Sequence, residues 1–90
     1  MLYAMTDDIR SQRDVDPVRK QIGDNVRAEL ARLGLRHDDL AKILGISQPQ
    51  VTKRLAGTIG FEAAELVRIA AELNVPVARL VEAPTPASAA

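Results

Sequence analysis

The chain has 90 residues, of which 47% are apolar and 27% are charged, as in one small soluble domain. It holds no cysteine and one histidine, which excludes a disulfide framework, a thiol nucleophile and a zinc site of several histidines. No apolar run reaches the ~18–20 residues of a membrane span, and the N-terminus lacks the apolar stretch of a secretory signal. We therefore expect a cytoplasmic protein with no membrane partner.

Composition divides the chain into three parts. Residues 1–16 are polar and charged without a clear period, which predicts a flexible lead-in. Residues 83–90 (APTPASAA) are small, uncharged and contain proline, which predicts a disordered tail. The folded domain is therefore expected over residues 17–82.

A first helix is predicted from residue 17. Asp16 before Pro17 is a typical helix start, and Gly34 is a typical stop. Between them, apolar residues recur every three or four positions and form one helical face. These residues are Val18, Ile22, Val26, Leu30 and Leu33.

Two short helices separated by a tight turn come next. Residues 38–44 place Leu40, Ala41 and Leu44 on one side, and Gly45 then allows the backbone to reverse. The second helix follows Ser47, a good N-cap, and glycine at position 57 ends it.

The second of these helices has its own internal pattern. Gln50 stands three residues after Ser47, which is the capping-box pattern Ser-x-x-Gln. Val51 and Leu55 are spaced to form its buried side. Residues 38–55 therefore have the layout of a helix-turn-helix, in which the second helix is presented outward.

Two more helices complete the domain. Residues 61–73 direct one apolar face inward, Asn74 is a suitable C-terminal cap, and Pro76 opens a last turn or two. No segment shows the sustained alternation of a strand. We expect an all-α bundle of five helices, with inward residues Phe61, Leu66, Ile69, Ala70 and Leu73 in the fourth helix and a last helix that holds Val77, Leu80 and Val81.

Residues 40–57 (LAKILGISQPQVTKRLAG) closely resemble the helix-turn-helix of phage repressors, the Cro-like or XRE family. Residues 61–80 (FEAAELVRIAAELNVPVARL) are similar to the fourth and fifth helices of that family. The resemblance implies a lambda-repressor-like fold and a sequence-specific regulator of transcription that binds double-stranded DNA. Members are often dimeric and bind near-palindromic operators. The resemblance also implies a repressor of phage or mobile-element type.

The charge distribution agrees with a DNA partner, although the total charge is zero. Residues 17–57 hold eight basic and four acidic residues, whereas each flanking part holds two basic and four acidic residues. Binding to phosphates depends on local charge rather than total charge. Ordinary solvated helix faces would by themselves give a similar count.

Base-reading residues are predicted on the outward side of the second motif helix, opposite Val51 and Leu55. Gln48 suits adenine N6 and N7, and Lys53 suits guanine O6 and N7. Thr52 offers a methyl group to thymine, and Pro49 packs on a thymine methyl or shapes the helix start.

Phosphate contacts are predicted around these residues. His37 stands where the resembled family often has a phosphate-binding glutamine. Gln50 either completes the capping box or binds DNA, and Arg54 either binds phosphate or extends around the core edge. Further candidates are Arg36, Lys42 and Thr58. The first-helix residues Arg19, Lys20 and Arg27 are more simply explained as solvated.

Catalysis is the first alternative function. Asp38 and Asp39 resemble a carboxylate pair, but neighbouring residues on a helix point about 100° apart, and acidic residues in a first turn are explained by the helix dipole. No glycine-rich phosphate loop or cluster of metal ligands is present. We expect no enzyme activity, cofactor, metal or small-molecule effector.

The second alternative is a protein-interaction module of the same fold, such as an antitoxin or a regulator's partner. Gln, Thr and Lys on the outward face suit DNA better than a dry protein interface. One recognition helix reads few base pairs, so we expect a homodimer, formed free or only on DNA, and the alternative is a monomer that binds asymmetric sites. The available surfaces are Val77, Leu80 and Val81, and residues 1–5.

Overall fold

The helix signals of the sequence become five helices in the computed structural model, which describes residues 15–83. Within that range no strand forms, so the all-α prediction is confirmed. The predicted lead-in and tail lie outside the described residues except for positions 15, 16 and 83. The helices are α1 (Pro17–Arg32), α2 (His37–Leu44), α3 (Gln48–Ala56), α4 (Ala63–Leu73) and α5 (Val77–Val81).

The first helix begins and ends as predicted. The Asp16 carboxylate accepts a hydrogen bond from the Arg19 backbone N–H at 3.0 Å, and Pro17 occupies the first turn, where its missing N–H has no cost. The helix ends at Arg32, two residues before Gly34.

In the part of the chain that the structure describes, no helix has the length and apolar character to cross a membrane.

The fourth helix begins later than predicted. Its first residue is Ala63, so Phe61 precedes the helix and packs, partly buried, against the core. The Glu65 carboxylate accepts a hydrogen bond from the Glu62 backbone N–H at 3.0 Å, which marks Glu62 as the residue before the helix. Asn74 ends the helix in the left-handed conformation with φ 57°, as the sequence predicts.

One apolar core joins the five helices. Helix α1 packs on α3 and α5, α2 packs on α3 and α4, and α4 packs on α5. Val18 and Leu33 are exceptions to the predicted apolar face of α1, being 67% and 44% exposed; Val18 lies in the first turn of the helix, and Leu33 follows its last residue. The core consists of Val26, Leu30, Leu40, Leu44, Val51, Leu55, Leu66, Ile69, Ala70, Leu73 and Leu80.

The last helix is held mainly through two groups. Leu80 is fully buried, and the Asn25 side-chain amide donates to the carbonyl oxygens of Leu80 and Glu82 at 3.0 and 2.8 Å. Val77 and Val81 are exposed, so of the three apolar residues that the sequence places in this helix, Leu80 is the one that joins the core.

The backbones of α1 and α3 approach each other closely at Gly23. A Cβ atom added there would overlap the carbonyl oxygen of Leu55. At the end of α3, Gly57 has φ 86° and lies against the backbone of Lys20, and its carbonyl oxygen accepts a hydrogen bond from the Asp16 N–H at 3.2 Å. Helix α1 therefore sets the position of α3 through backbone contacts.

Gly23→Ala tests this contact. Alanine normally stabilises a helix interior by about 1 kcal/mol relative to glycine. Here we expect the opposite sign, a loss of about 1–3 kcal/mol, because the methyl group has no space. Urea denaturation measures the free energy of unfolding. Ala28→Gly, at an exposed position of α1, is the control and should lose about 1 kcal/mol. A Gly23→Ala protein more stable than the wild type would contradict the close approach.

Candidate nucleic-acid interface

The turn between α2 and α3 sets the orientation of the second helix. Gly45 ends α2 with φ 68°, a left-handed conformation that glycine adopts at little cost, and the Ile46 N–H returns to the Ala41 carbonyl oxygen at 3.1 Å. Ile46 and Ala41 pack, partly buried, against the core. Two helices that are joined by so short a turn and pack on each other have the layout of a helix-turn-helix.

Helix α3 turns one side inward and the other to solvent. Val51 and Leu55 are fully buried, as predicted. The four predicted base-reading residues are all exposed, whereas Ala56 at the helix end is half-buried. The exposed residues are Gln48, Pro49, Thr52 and Lys53, which we call the outward face of α3.

The start of α3 is only partly the predicted capping box. Ser47 Oγ accepts a hydrogen bond from the Gln50 N–H at 3.4 Å, which is the first half of the box. The second half is absent, because the side-chain oxygen of Gln50 accepts from Arg54 Nη1 at 3.0 Å instead of returning to the Ser47 N–H. The prediction that Gln50 completes the box is therefore wrong.

Arg54 forms the centre of a buried polar network between α3 and α4. Its Nε and Nη2 donate to the two carboxylate oxygens of Glu65 at 3.0 and 3.1 Å, and its Nη1 also donates to the Gln50 carbonyl oxygen at 3.2 Å. The side chains of Arg54 and Glu65 are 13% and 8% exposed. Arg54 therefore extends along the edge of the core between α3 and α4, which is the second of the two roles expected for it from the sequence.

The network keeps Glu65 ionised. Burial alone would raise the pKa of this carboxyl, but hydrogen bonds from Arg54 and from the Glu62 backbone, together with the positive charges of Arg54 and Arg68, lower it below its ordinary value of 4.5. The carboxylate and the guanidinium therefore both carry charge at neutral pH, and the bidentate pair links the start of α4 to the side of α3.

Half of the basic residues in positions 17–57 have acidic partners. Lys20 and Arg27 contact Asp24 at 2.7 and 3.8 Å, and Arg32 contacts Glu29 at 2.7 Å. With Arg54 these make four paired cations. Within residues 15–83, the basic residues of this stretch that form no ion pair are Arg19, Arg36, Lys42 and Lys53.

The other predicted phosphate-contacting residues surround α2 and the end of α3. Arg36, His37, Lys42 and Thr58 are exposed, and Gln50 is half-buried. Asp39 accepts a hydrogen bond from the Arg36 backbone N–H at 2.8 Å, so it serves the start of α2 and forms no carboxylate pair with Asp38 in this role. Across residues 15–83, no group of three or more acidic or histidine side chains is placed to hold a metal ion.

Comparison with known proteins gives the family. The BetR domain family matches residues 18–89. This chain belongs to the BetR domain family. It is also 31% identical over 74 residues to two curated proteins, each named an uncharacterized HTH-type transcriptional regulator, from Sinorhizobium medicae (strain WSM419) and Rhizobium meliloti (strain 1021). Each match covers 82% of this chain but only 53% of the relative, so the chain spans about half of their length. No solved structure matches it.

Sequence reasoning missed the central contact of this BetR domain. Arg54 and Glu65 are eleven residues apart, on different helices, and no local spacing rule connects them. Two signals were present. Arg54 is a charged residue in a helix position that the resembled family often fills with an apolar one, and Glu65 is an acidic residue in the first turn of α4.

Glu65→Gln tests the ion pair through its pH dependence. Because the folded-state pKa of Glu65 is lowered, its contribution to stability is fully present above the unfolded value of 4.5 and disappears as the pH falls through the folded value. We expect Glu65→Gln to be less stable than the wild type at pH 7, and the difference to shrink steadily below pH 4.5. Denaturant unfolding from pH 7 to pH 3 measures it. Glu72→Gln, exposed on the same helix, should show no such convergence.

Proposed function

We propose that this BetR domain is a sequence-specific regulator of transcription that inserts α3 into the major groove of double-stranded DNA. The observation that carries the proposal is the outward face of α3. All four of its residues are exposed to solvent, three of them are polar, and one of these, Lys53, is a cation. A helix presented in this way after a tight turn is the form in which helix-turn-helix proteins read base edges.

The proposed base contacts follow from the chemistry of the outward face. Lys53 is exposed, and within residues 15–83 it forms no ion pair, so its ammonium group is available to guanine O6 and N7. Gln48 at the start of the helix suits adenine, and the Thr52 methyl suits thymine. Pro49 contributes an apolar contact or the shape of the helix start.

The proposed phosphate contacts come from the residues around α2 and the end of α3. Arg36 and Lys42 are exposed cations, His37 is the first residue of α2, and Thr58 follows α3. Gln50 is assigned here as a hydrogen-bond donor to DNA. The total charge of zero does not oppose this assignment, because half of the neighbouring cations are neutralised by acidic partners and the others are left for phosphates.

The relatives support the regulatory role. Both carry names that describe HTH-type transcriptional regulators. The finer assignments are that the domain is of the Cro or XRE type, that it belongs to a phage or mobile element, and that it represses by occupying an operator that overlaps a promoter. This mechanism needs no cofactor and no small-molecule effector.

We also propose that two copies bind together, because one recognition helix contacts too few base pairs for useful specificity. Val77 and Val81, the first and last residues of α5, are exposed, and they support this helix as the contact between copies. Leu80 is fully buried in the core and is not available to a partner. The other predicted surface, residues 1–5, lies outside the described residues.

Selection of bound sequences from a random duplex pool tests the proposal. We expect one enriched site with two-fold symmetry, and binding that weakens by orders of magnitude from 50 to 200 mM salt. No enriched sequence, together with binding that salt leaves unchanged, would overturn the proposal and favour a protein-interaction module.

Lys53→Ala separates base reading from phosphate binding. We expect a loss of about 1–3 kcal/mol on the selected site and a smaller loss on random DNA, because a base contact is made only at the correct sequence. Lys42→Ala is the matched control and should weaken binding to both DNAs equally. Fluorescence anisotropy measures the affinities. An equal loss on both DNAs for Lys53→Ala would reassign Lys53 to phosphate.

A further inference from the structure

The contact between Arg54 and Gln50 determines which way the Gln50 side-chain amide points. A guanidinium group has only hydrogen-bond donors. The amide must therefore turn its oxygen toward Arg54 Nη1, which lies 3.0 Å away, and turn its NH₂ group away. The opposite orientation would place two donors against each other, so the chemistry of the pair leaves one choice.

The NH₂ group of Gln50 remains available. Within residues 15–83 it donates no hydrogen bond, and no buried side-chain nitrogen or oxygen in that range lacks a partner. The nitrogen is therefore in contact with solvent. At about 100° per residue, Gln50 lies between Lys53 and Arg54 around the helix, at the edge of the outward face of α3.

Arg54 is itself held in place. The bidentate pair with Glu65 uses Nε and Nη2, while Nη1 donates to both the backbone and side-chain oxygens of Gln50. A planar guanidinium fixed at these points has little rotational freedom. The orientation of the Gln50 amide is thereby tied to a contact between α3 and α4.

We propose that Arg54 is a positioning residue that makes Gln50 a donor-only contact to DNA. The inference rests on the proposed function and adds a specificity rule to it. Glutamine binds adenine by accepting from N6 and donating to N7 at the same time. Because its oxygen is turned toward Arg54, Gln50 of this protein does not present oxygen and NH₂ together to an adenine edge. Its NH₂ group donates to a single acceptor of DNA, which is a phosphate oxygen, a purine N7, guanine O6 or thymine O4.

A double-mutant cycle on the selected DNA site tests the proposal. The variants are Arg54→Met, which keeps the aliphatic stem, Gln50→Ala, and the two combined. We expect Arg54→Met and Gln50→Ala each to weaken binding about tenfold, the value of roughly one hydrogen bond. In the Gln50→Ala background, Arg54→Met should add less than about a twofold loss, because Arg54 acts through Gln50. A full further loss in that background would overturn the proposal.

Folding is controlled separately. Arg54→Met leaves the Glu65 carboxylate buried, so Arg54→Met/Glu65→Leu, which replaces the whole ion pair by apolar groups, is measured alongside it. Arg68→Met, which removes an exposed arginine from α4, is the matched control. In this variant, Gln50→Ala should weaken binding to DNA as much as it does in the wild type. If the Arg54→Met/Glu65→Leu protein stays helical and Gln50→Ala no longer weakens its binding to DNA, the positioning role is supported. If Gln50→Ala still weakens binding of that protein about tenfold, the positioning role is contradicted.

Two DNA experiments distinguish the acceptor. A neutral methylphosphonate at single positions abolishes the effect of Gln50→Ala if the acceptor is a phosphate oxygen. A changed base preference at one position of the selected site, in both Gln50→Ala and Arg54→Met, identifies a base acceptor. Either result supports the proposal. A position at which the wild type requires adenine through Gln50 would overturn it.

One readout needs no DNA and separates this inference from the proposed function. In the free wild-type protein, NMR relaxation of the Gln50 side-chain ¹⁵N should show an ordered amide, and in Arg54→Met it should become mobile. If the Gln50 amide is ordered in the wild type but the selection enriches no DNA sequence, the proposed function is contradicted and the positioning contact is not. A mobile amide in wild type would refute the positioning contact itself.

Discussion

The position of α3 depends on the backbone contact between α1 and α3 at Gly23. Only a hydrogen atom fits between this residue and the carbonyl oxygen of Leu55, so the two helices meet without side chains between them. Close-packed interiors transmit small changes of shape, because there is no free volume to absorb them. The direction in which α3 presents its outward face is therefore linked to a residue on the opposite side of that helix.

A second support joins α3 to α4 through charge. A buried ion pair adds little net stability, because removing two charges from water costs about as much as their attraction returns. Its contribution here is geometric. Arg54 meets Glu65 in two hydrogen bonds and Gln50 in a third side-chain contact, so the pair holds the side of α3 next to the face that we propose reads DNA.

The electrostatics of the domain follow from which charges are paired. Asp24, Glu29 and Glu65 neutralise cations on α1 and α3, whereas Lys42 and Lys53 have no acidic partner within residues 15–83. A net charge of zero thus coexists with unpaired cations on the two helices of the motif. Total charge is a poor guide to a polyanion partner, since phosphates respond to charge within a Debye length of roughly 10 Å.

The sequence alone determined the helices, the turn and the buried side of α3, because these depend on local rules: Asp16 and Ser47 cap, Gly45 permits a reversal, and Val51 and Leu55 recur at helical spacing. The predicted start of α4 at Phe61 was wrong, because the Glu65 carboxylate accepts a hydrogen bond from the Glu62 N–H and the helix begins after Glu62. The base and phosphate roles of the exposed residues stay predictions. Only the tertiary structure paired Arg54 with Glu65, turned the Gln50 amide and placed Gly23 against Leu55, because each contact joins separate helices whose approach no spacing along the chain encodes.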